Sequence, residues 1–348
     1  MNPHSCRSAR GRDCGSALGR DCGSRIARKR APTGPLFAGL AFALATAIAH
    51  AGSFALIGDM PYSEREIEIT RMIIEEIGRD DAIAFVVHDG DIKSGGDKCD
   101  NQTFLDRKAD FDLSRHPFIL IPGDNDWTDC HRPSNGGYNP EERLAKLREL
   151  FYPSDETLGR NRMKVIRQGT LQAQFAEYRE NVRWEFEQTL IVGLNIPGSN
   201  NNWNNHGGNR EFSTRMKANS AWLAAAFARA RAANLRAVMV VIQSNPDFEG
   251  YEARKNANRP GYRDGFIEFR TQLAREAKAF GRPVVVVHGD THGYRQDKPL
   301  IDETGRPVPN VTRLETFGSP GLGWVKAHVE PDNPEVFRFQ PQRFGQRP

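Results

Sequence analysis

Cysteine is scarce in this chain of 348 residues, which has only five. Cys6, Cys14 and Cys22 lie in a basic N-terminal stretch, so Cys99 and Cys130 alone remain for the rest of the chain. No third or fourth soft ligand stands at the spacing that a zinc site needs, which argues against a cysteine-based metal site. The remaining two cysteines form either a disulfide or a pair of buried free thiols, depending on the compartment.

Long apolar runs and clustered positive charge are also missing beyond residue 51. Residues 1–51 hold eight of the 48 basic and two of the 44 acidic residues, which leaves 40 and 42 and a net charge of −2 for the body. The body therefore offers no basic patch for a nucleic-acid duplex. It also has no segment that is long and apolar enough to cross a membrane. No linker rich in Pro, Gly or Ser divides it, which predicts one domain over 52–348.

Residues 1–51 have the pattern of an export signal. A basic segment (RIARKR) precedes an apolar stretch (PLFAGLAFALATAI), and Ala49-His50-Ala51 fits an A-x-A cleavage site. The apolar stretch is short for a permanent anchor, although an uncleaved anchor is the alternative. We expect a signal peptide with an extended basic leader, cleavage near Ala51, and a periplasmic or extracellular protein without a stable membrane span. In such an oxidising compartment, Cys99 and Cys130 are predicted to form a disulfide.

Apolar strands alternate with helical patterns along the body. Continuous β-branched runs at 237–242 and 283–288 are typical of strands that are covered on both faces. Further strands are predicted at 53–58, 82–88 and 117–122, within 183–196 and beyond about 309, with helices at 63–78, from Pro140, at 212–235 and at about 264–280. This order predicts an α/β fold with one mixed sheet or a pair of sheets. The polar loop 197–210 either faces a substrate or is a surface excursion.

Four of the apolar strands end in oxygen-rich turns. These turns contain Asp59 (ALIGDMPY), Asp91 (VVHDGD), residues 124–126 (LIPGDND), and Asp290 with His292 (VVHGDTH). Strands of one sheet that end together place such side chains on one edge. Clustered carboxylates repel each other, and a divalent cation converts that repulsion into coordination. The four turns together therefore predict a metal site.

With these turns in this order, the sequence resembles the calcineurin-like metallophosphoesterase superfamily. That family has five blocks, namely Asp-x-His, Gly-Asp, Gly-Asn-His-Asp/Glu, a His shortly before a Pro, and Gly-His-x-His. They correspond here to 59–61, 90–91, 123–126, 243–246 and 289–292, within a region of about 57–294. The resemblance implies a four-layer α/β/β/α arrangement, a two-sheet β-sandwich flanked by helices, with a two-metal site at the strand ends. It also implies phosphoester hydrolysis through a metal-bound hydroxide.

The resemblance assigns ligand roles residue by residue. Asp59 and His292 would bind the first metal, and Asp91 would bridge both metals. The ligand asparagine of the third block aligns with Asp124, and the catalytic histidine of that block aligns with Asn125. Because both side chains offer oxygen, either Asp124 or Asn125 could be the ligand.

Besides Asp124, which stands in place of the ligand asparagine, the departures from the family pattern concern histidines. Pro61 and Asp290 stand where the first and last blocks have one, and Ser244, or nearby Gln243, stands at the histidine before Pro. Gln243, Ser244 and the strand-end His288 are additional candidates for ligands. An oxygen-rich ligand set favours hard cations, so we expect one or two divalent ions of the type Mn²⁺, Mg²⁺ or Ca²⁺ rather than Zn²⁺.

The catalytic proton is the second consequence of the missing histidines. Asn125 cannot supply a proton to a leaving group, so Asp126 or His88 would have to do so. For His88 the alternative is a hydrogen-bonded histidine at the end of its strand. Tyr62 and Trp127 lie beside these acids in the sequence and either pack under the site or line its edge.

Two classes of function remain open from the sequence. The first is an exported metal-dependent phosphoesterase that acts on a phosphomonoester or phosphodiester, with a small-molecule, lipid or nucleotide substrate. The second is a catalytically inactive exported binding module with the same fold, which the lost histidines keep open. Retention of carboxylates at all four turns favours the enzyme, because an inactive site has no need of so many clustered acids.

Overall fold

Two β-sheets pack face to face in this protein and carry helices on their outer faces. The structure, a computed structural model, describes residues 52–203 and 208–345. The first sheet has five strands and the second has seven. This arrangement confirms the predicted α/β sandwich of two sheets flanked by helices. The boundary predicted at Ala51 and the apolar stretch before it lie outside the described residues.

Twelve strands form the two sheets. They are β1 (Gly52–Ile57), β2 (Ile83–His88), β3 (Phe118–Leu120), β4 (Ile166–Arg167), β5 (Val182–Phe186), β6 (Thr189–Gly193), β7 (Ala237–Val241), β8 (Val284–His288), β9 (Arg295–Asp297), β10 (Val311–Glu315), β11 (Gly323–Val329) and β12 (Phe337–Arg343). The first sheet has the order β12-β11-β1-β2-β3 and the second has the order β4-β5-β6-β7-β8-β10-β9. Within them, β1-β2-β3 and β6-β7-β8-β10 run parallel, so the carboxyl ends of neighbouring strands lie together.

The helices connect the strands and cover the sheets. They are α1 (Glu64–Gly78), α2 (Asn101–Asp112), α3 (Pro140–Phe151), α4 (Gln168–Leu171), α5 (Gly198–Asn201), α6 (Gly208–Ala232), α7 (Tyr251–Asn256) and α8 (Ile267–Phe280), with short 3₁₀ turns at Thr128–His131, Pro133–Asn135 and Ala173–Phe175. Ser199 and Asn200 in α5 have left-handed backbone conformations, so α5 is a tight turn and not a regular helix. No helix among the described residues has both the length and the apolarity that a membrane crossing requires.

Three apolar clusters hold the four layers together. Phe54, Phe85, Met239 and Val285 belong to the cluster between the two sheets. A second cluster joins the first sheet to α1, α2 and α3, and a third joins the second sheet to α6 and α8. Because each fully buried large apolar side chain contributes about 1.5–3 kcal/mol, these clusters fix the sheets firmly under the loops that leave their strands.

The N-terminus of α1 also fixes the turn after β1. The side chain of Ser63 accepts a hydrogen bond from the backbone N–H of Glu66 and so caps the helix. The carboxylate of Glu66 in turn accepts from the backbone N–H of Tyr62 at 2.7 Å. This pair of bonds holds the backbone of Tyr62 in place, three residues after Asp59.

The structure differs from the predicted elements mainly at α2. No helix was expected there, because Phe104 and Phe111 are the only buried apolar residues of α2 and leave no continuous apolar stripe. The helix is capped by Asp100, whose side chain accepts from the N–H of Thr103 at 2.8 Å. The short edge strand β9 also escaped prediction, because it has no apolar alternation.

Cys99 and Cys130 are joined by a disulfide, as predicted. Their Cα atoms are 5.6 Å apart, and both side chains are fully buried. The bridge connects the loop that follows β2 to the 3₁₀ turn that follows β3. It therefore links two of the four oxygen-rich turns.

Removal of this disulfide should destabilise the protein. In the variant with Cys99→Ala and Cys130→Ala we expect the free energy of unfolding to fall by about 3 kcal/mol, because the unfolded chain regains the freedom that a closed loop denies it. Urea unfolding followed by circular dichroism measures this loss. Treatment of the wild type with a reductant should reproduce it, whereas equal unfolding curves for the oxidised and reduced protein would contradict it.

Candidate metal centre

The turns after β1, β2, β3 and β8 meet at one edge of the sandwich. The backbone N–H of Asp290 donates to Oδ2 of Asp59 at 3.0 Å, which joins the turn after β8 to the turn after β1. The N–H of Asn125 donates to Oδ1 of Asp91 at 3.0 Å, which joins the turns after β3 and β2. Backbone hydrogen bonding from Asp59 N–H to the Gly90 carbonyl at 2.9 Å closes the arrangement. We refer to Asp59, Asp91, Asp124 and Asp290 as the carboxylate cluster.

The backbone is strained at four of the predicted ligand positions. Asp59, Asp91, Asp290 and His292 have φ angles of 49°, 58°, 70° and 61°, all in the left-handed region. Such conformations cost energy for residues other than glycine, and they persist only where surrounding structure imposes them. The turns therefore hold these side chains in defined positions at some cost in stability.

Two glycines of the Gly-Asp motifs are required by close approach of a carboxylate. A Cβ atom on Gly123 would lie 2.0 Å from Oδ1 of Asp91, and a Cβ atom on Gly289 would lie 1.8 Å from Oδ2 of Asp59. No side chain larger than hydrogen fits at either position without displacing the carboxylate. The recurring Gly-Asp pairs are thus explained by packing of one turn against the carboxylate of its neighbour.

Tyr62 places its hydroxyl group inside the carboxylate cluster. Its Oη atom lies 3.0 Å from Oδ2 of Asp91 and 3.3 Å from Oδ1 of Asp59, and it accepts a hydrogen bond from Nδ2 of Asn125 at 3.1 Å. Burial, with Asp91 and Asp59 adding to the effect, raises the pKa of Tyr62, so the hydroxyl keeps its proton. Of the two alternatives for Tyr62, packing or lining the edge, the structure supports the second.

His292 is oriented with one ring nitrogen facing the cluster. Its Nδ1 atom lies 2.5 Å from the backbone carbonyl oxygen of Ser319, which requires the proton on Nδ1. Its Nε2 atom lies 3.5 Å from Oδ1 of Asp59 and is then the nitrogen with a free lone pair. The ring also packs edge-on against Tyr62, with centroids 5.2 Å apart. This is the tautomer and orientation that a metal-binding histidine requires.

Asp124 contacts loop 197–210, for which the sequence allowed either a position facing a substrate or one on the surface. The hydroxyl oxygen of Ser199, in loop 197–210, lies 2.7 Å from Oδ2 of Asp124 and 2.9 Å from Oδ1 of Asp129. Burial, followed by the charge of Asp124, raises the pKa of Asp129 to about 7. The beginning of this loop therefore faces the cluster, whereas residues 204–207 lie outside the described residues.

Positive charge near the cluster is limited, since Lys93 interacts with Asp91 electrostatically but forms no ion pair with it. Among the described residues, none of the four carboxylates of the cluster forms an ion pair with a lysine or arginine, and Asp59 has only His292. Burial raises the pKa of both Asp59 and Asp91 well above the usual range, and neighbouring carboxylates add to both shifts. Burial likewise raises the pKa of Asp290 to about 7, with Asp124 adding to it. The site therefore favours protons or cations at physiological pH.

The two candidate proton donors lie beneath the cluster. Asp126 is fully buried and accepts from the N–H groups of Asp91, Ile92 and Gly123 at 3.1, 2.8 and 2.7 Å. His88 is also fully buried, with Nε2 at 3.1 Å from the Met60 carbonyl and Nδ1 accepting from the N–H of Gly90 at 3.1 Å. Both side chains hold backbone groups in position. The catalytic role expected of either remains a prediction, and these contacts favour a structural role.

The additional ligand candidates are also buried. Oε1 of Gln243 accepts from the N–H of Gly198 at 2.7 Å, and its amide nitrogen has no hydrogen-bond partner among the described residues. The hydroxyl of Ser244 and Nε2 of His288 likewise have no hydrogen-bond partner among the described residues. Nδ1 of His288 contacts the Gly289 carbonyl at 2.8 Å, and burial lowers the pKa of this imidazole to about 4. Gln243 therefore supports the turns from below, and no contact gives Ser244 or His288 a defined role.

Asp89 is a further buried acid that the sequence did not single out. A Cβ atom on Gly58 would overlap its Oδ1 atom, so its carboxylate lies directly behind the turn after β1. Its Oδ2 atom accepts from the hydroxyl of Thr316 at 2.8 Å, and its Oδ1 atom has no partner in the described residues. Its charge is the largest contribution from a neighbouring acid to the raised pKa of Asp59. The sequence HDGD contains the signal, since it has an acid on each side of Gly90.

The donor set matches a hard divalent cation in the type of its ligand atoms but not in their arrangement. Carboxylate oxygens dominate it, with one imidazole from His292, and such sets suit Mn²⁺, Mg²⁺ or Ca²⁺. In the part of the chain that the structure describes, no group of three or more His, Cys, Asp or Glu side chains is arranged so that it could hold a metal ion. The hydroxyl of Tyr62 lies between Asp59 and Asp91, where a shared cation would have to sit.

Comparisons with known proteins identify one family. The family model described as calcineurin-like phosphoesterase matches residues 52–294, which include all four turns. A comparison with curated proteins finds no match. Among solved structures, 17 chains match. One of them is described as GAP50, the anchor in the inner membrane complex of Plasmodium; it is 11% identical, has a TM-score of 0.47, and the match covers 85% of this chain and 90% of that one.

Substitution of Asp290 by Asn should stabilise the metal-free protein at pH 8. The folded-state pKa of about 7 lies above the unfolded value, so Asp290 favours folding only while protonated, and this contribution is lost as the pH rises through 7. We expect Asp290→Asn to raise the free energy of unfolding at pH 8 by about 2 kcal/mol and by clearly less at pH 5, where the carboxyl is still protonated in the folded protein. Urea unfolding in EDTA at both pH values measures the difference.

Added Mn²⁺ should make the wild type more stable than Asp290→Asn at pH 8, because the wild type gains binding energy from a carboxylate that the variant lacks. Burial lowers the pKa values of His88 and His288 to about 4, so these groups make stability rise with pH. Both histidines are present in the wild type and in the variant, so their effect cancels in the comparison. The exposed substitution Asp81→Asn serves as the control. If the wild type is more stable than Asp290→Asn in EDTA at pH 8, the ionised Asp290 is not repelled by its neighbouring carboxylates and the prediction is wrong.

Proposed function

Because this chain belongs to the calcineurin-like phosphoesterase family, we propose that it is an exported, metal-dependent phosphoesterase. The observation that carries the proposal is the carboxylate cluster at the converging strand ends, in which Asp59, Asp91 and Asp124 are buried and no member forms an ion pair with a lysine or arginine among the described residues. The substrate is a phosphomonoester or phosphodiester. The disulfide supports export, since such bonds persist in oxidising compartments.

The residues proposed to hold the cation are the carboxylate cluster and His292. Asp59, Asp91 and His292 would bind a first cation if the Tyr62 hydroxyl moved from between the two carboxylates, and Asp124 and Asp290 would serve a second. Of the two candidates in the third turn, Asp124 is the better ligand, because Asn125 directs its amide nitrogen toward Tyr62. A divalent cation bound there supplies Lewis acidity and lowers the pKa of a coordinated water molecule.

Tyr62 and Asn125 give the centre two neutral hydrogen-bond donors. The hydroxyl of Tyr62 keeps its proton, and the amide of Asn125 can donate but not transfer a proton. Both can stabilise negative charge that develops on phosphoryl oxygens. Neither can readily protonate a leaving group, so the site should act best on esters whose leaving group departs as a stable anion.

The direct test is metal content and turnover of the purified protein. We expect bound divalent metal, and hydrolysis of 4-nitrophenyl phosphate or bis(4-nitrophenyl) phosphate with Mn²⁺, Mg²⁺ or Ca²⁺, since the ligands are mostly oxygen atoms. Asp91→Ala should lose metal and reduce turnover to the uncatalysed background. Elemental analysis and release of 4-nitrophenolate measure both properties.

The conservative variant Asp91→Asn and the exposed control Asp81→Asn make the test specific. Asp91→Asn keeps the shape of the side chain and should still lose metal, whereas Asp81→Asn should leave metal content and turnover unchanged. A wild type without metal and with the same background rate as Asp91→Ala would refute the enzyme and favour the non-catalytic binding module.

Asn125→His tests the missing proton donor. A histidine in this turn would face the cluster beside Tyr62 and could protonate a leaving group, an effect on the order of 10²-fold. We expect faster hydrolysis of an alkyl phosphate such as glycerol 2-phosphate, and little change for 4-nitrophenyl phosphate, whose leaving group needs no proton. The ratio of kcat/KM for the two esters is the measurement.

Asn125→Gln is the matched control for side-chain size and should raise neither rate. Thermal unfolding of each variant verifies that the fold is retained. An equal effect of Asn125→His on both esters would show that proton supply does not limit the wild-type enzyme.

A further inference from the structure

A large open cavity adjoins the carboxylate cluster. Its volume is about 1410 Å³, which is more than a phosphoryl group alone can fill. Ser199, Asn245, Asp290 and Thr291 form the side that faces the cluster. Asn245 is tied to the cluster, because its backbone N–H donates to Oδ2 of Asp290 at 2.9 Å. The cavity therefore has space for the organic part of a substrate whose phosphoryl group lies at the cluster.

Five acidic side chains of the cavity away from the cluster are each engaged by hydrogen-bond donors or a basic partner. Asp247 accepts from three backbone N–H groups at the start of α7, at 2.6, 3.2 and 3.0 Å. The other four form ion pairs, namely Glu249 with Arg313, Glu252 with Lys255, Asp264 with Arg270, and Glu315 with Arg295. These carboxylates are therefore not available to repel an anionic ligand at full strength.

Two arginines of the cavity have no carboxylate partner among the described residues. The guanidinium of Arg254 donates to the backbone carbonyl of Glu249 at 2.6 Å, which leaves its charge uncompensated. Arg259 has no hydrogen bond or ion pair from its side chain to any described residue, and both arginines are exposed. Because an arginine presents five N–H donors in a planar fork, the pair can bind a phosphate or carboxylate group of a ligand.

Aromatic rings line the same cavity. Tyr251 is 62% exposed and stands at the start of α7, three residues before Arg254. Tyr262 and Tyr294 also line the cavity and are partly exposed. Tyr294 stacks on Phe317, with centroids 5.2 Å apart, so the position of its ring is fixed from behind. Exposed rings of this kind bind planar ring systems by stacking.

From these features we infer that the cavity binds a substrate whose leaving group carries both a planar ring and a negative charge of its own, the chemistry of a nucleoside polyphosphate. The exposed tyrosine rings would receive the base, and Arg254 and Arg259 would receive the additional phosphate. The inference deepens the proposed function and rests on it for the reaction.

The composition of the catalytic turn agrees with this substrate class. The third turn has Asn125 in place of a proton donor, and its amide contacts Tyr62. Hydrolysis of the terminal phosphate transfers a phosphoryl group to water and breaks the bond from phosphorus to the bridging oxygen, whose electron pair leaves with the remaining nucleotide. That leaving group is a phosphate anion of low basicity and departs without a proton. A negatively charged leaving group would in turn require the two arginines.

Binding of hydrolysis-resistant ligands tests the cavity separately from turnover. Isothermal titration calorimetry in the presence of Mg²⁺ compares α,β-methylene-ADP with methylenediphosphonate, which has the same phosphonate groups but no nucleoside. We expect the nucleotide to bind at least about tenfold more tightly. Arg254→Gln with Arg259→Gln should weaken nucleotide binding by about tenfold, since charge-assisted hydrogen bonds are lost. Tyr251→Ala should weaken the nucleotide and leave methylenediphosphonate unchanged.

The exposed Arg160→Gln, outside the cavity, is the matched control and should alter neither affinity. Circular dichroism of each variant confirms folding, and Arg254→Lys with Arg259→Lys, which retains both charges, should recover part of the affinity. Equal affinity of the wild type for the two ligands would overturn the nucleoside site, as would unchanged nucleotide affinity in the double glutamine variant. Turnover of 4-nitrophenyl phosphate without nucleoside preference would refute this inference alone, whereas nucleotide binding without any turnover would refute the hydrolase alone.

Discussion

Mutual repulsion of buried carboxylates is the constraint around which this edge of the sandwich is organised. Two unit charges 4 Å apart repel by about 4 kcal/mol at an effective dielectric constant of about 20. A few such pairs would equal the whole free energy of unfolding of a typical domain, about 5–15 kcal/mol. The chain responds with backbone N–H groups, such as those of Asp290 and Asn125, which donate to Asp59 and Asp91. Partial charges of this kind reduce the repulsion, and protons or a cation must supply the remainder.

The left-handed backbone and the glycines follow from the same constraint. A carboxylate receives backbone donors from a neighbouring turn only when that turn approaches closely, and at Gly123 and Gly289 this approach leaves no room for a Cβ atom. The turns that carry Asp59, Asp91 and Asp290 also adopt positive φ angles at these residues, a strain that the surrounding structure imposes. The three apolar clusters and the disulfide then provide the stability that such a strained arrangement consumes.

The fold could be predicted well from local sequence, and the site only in part. Runs such as 237–242 identify buried strands, because continuous β-branched residues suit no other environment so well. The turns after those strands could be placed on one edge because parallel strands end together. Contacts between distant loops have no local signal. Ser199 is 75 residues from Asp124 and 70 residues from Asp129 in the sequence, and only the folded chain shows that its hydroxyl contacts both acids.

Roles within one turn were the hardest to predict, because neighbouring residues point in opposite directions. Asp126 and Asn125 are adjacent, yet Asp126 accepts three backbone N–H groups beneath the cluster while Asn125 directs its amide to Tyr62. Sequence spacing cannot separate these orientations, since both residues belong to the same tight turn.

In the proposed enzyme, the replacement of ligand histidines by oxygen ligands and the lack of a proton donor would be physically connected. Asn125 lies against Tyr62 and Asp91, where a protonated imidazole would add a positive charge next to the cluster and compete with a cation for the same carboxylates. An amide avoids this competition because it is neutral, but it transfers no proton. A site that depends on cations for charge balance therefore gives up acid catalysis and keeps electrostatic stabilisation. Such a site is suited to substrates that bring a stable anionic leaving group, and it requires positive charge nearby to receive that group. Arg254 and Arg259 place two positive charges without a carboxylate partner among the described residues in the adjoining cavity, where the proposed leaving group would lie.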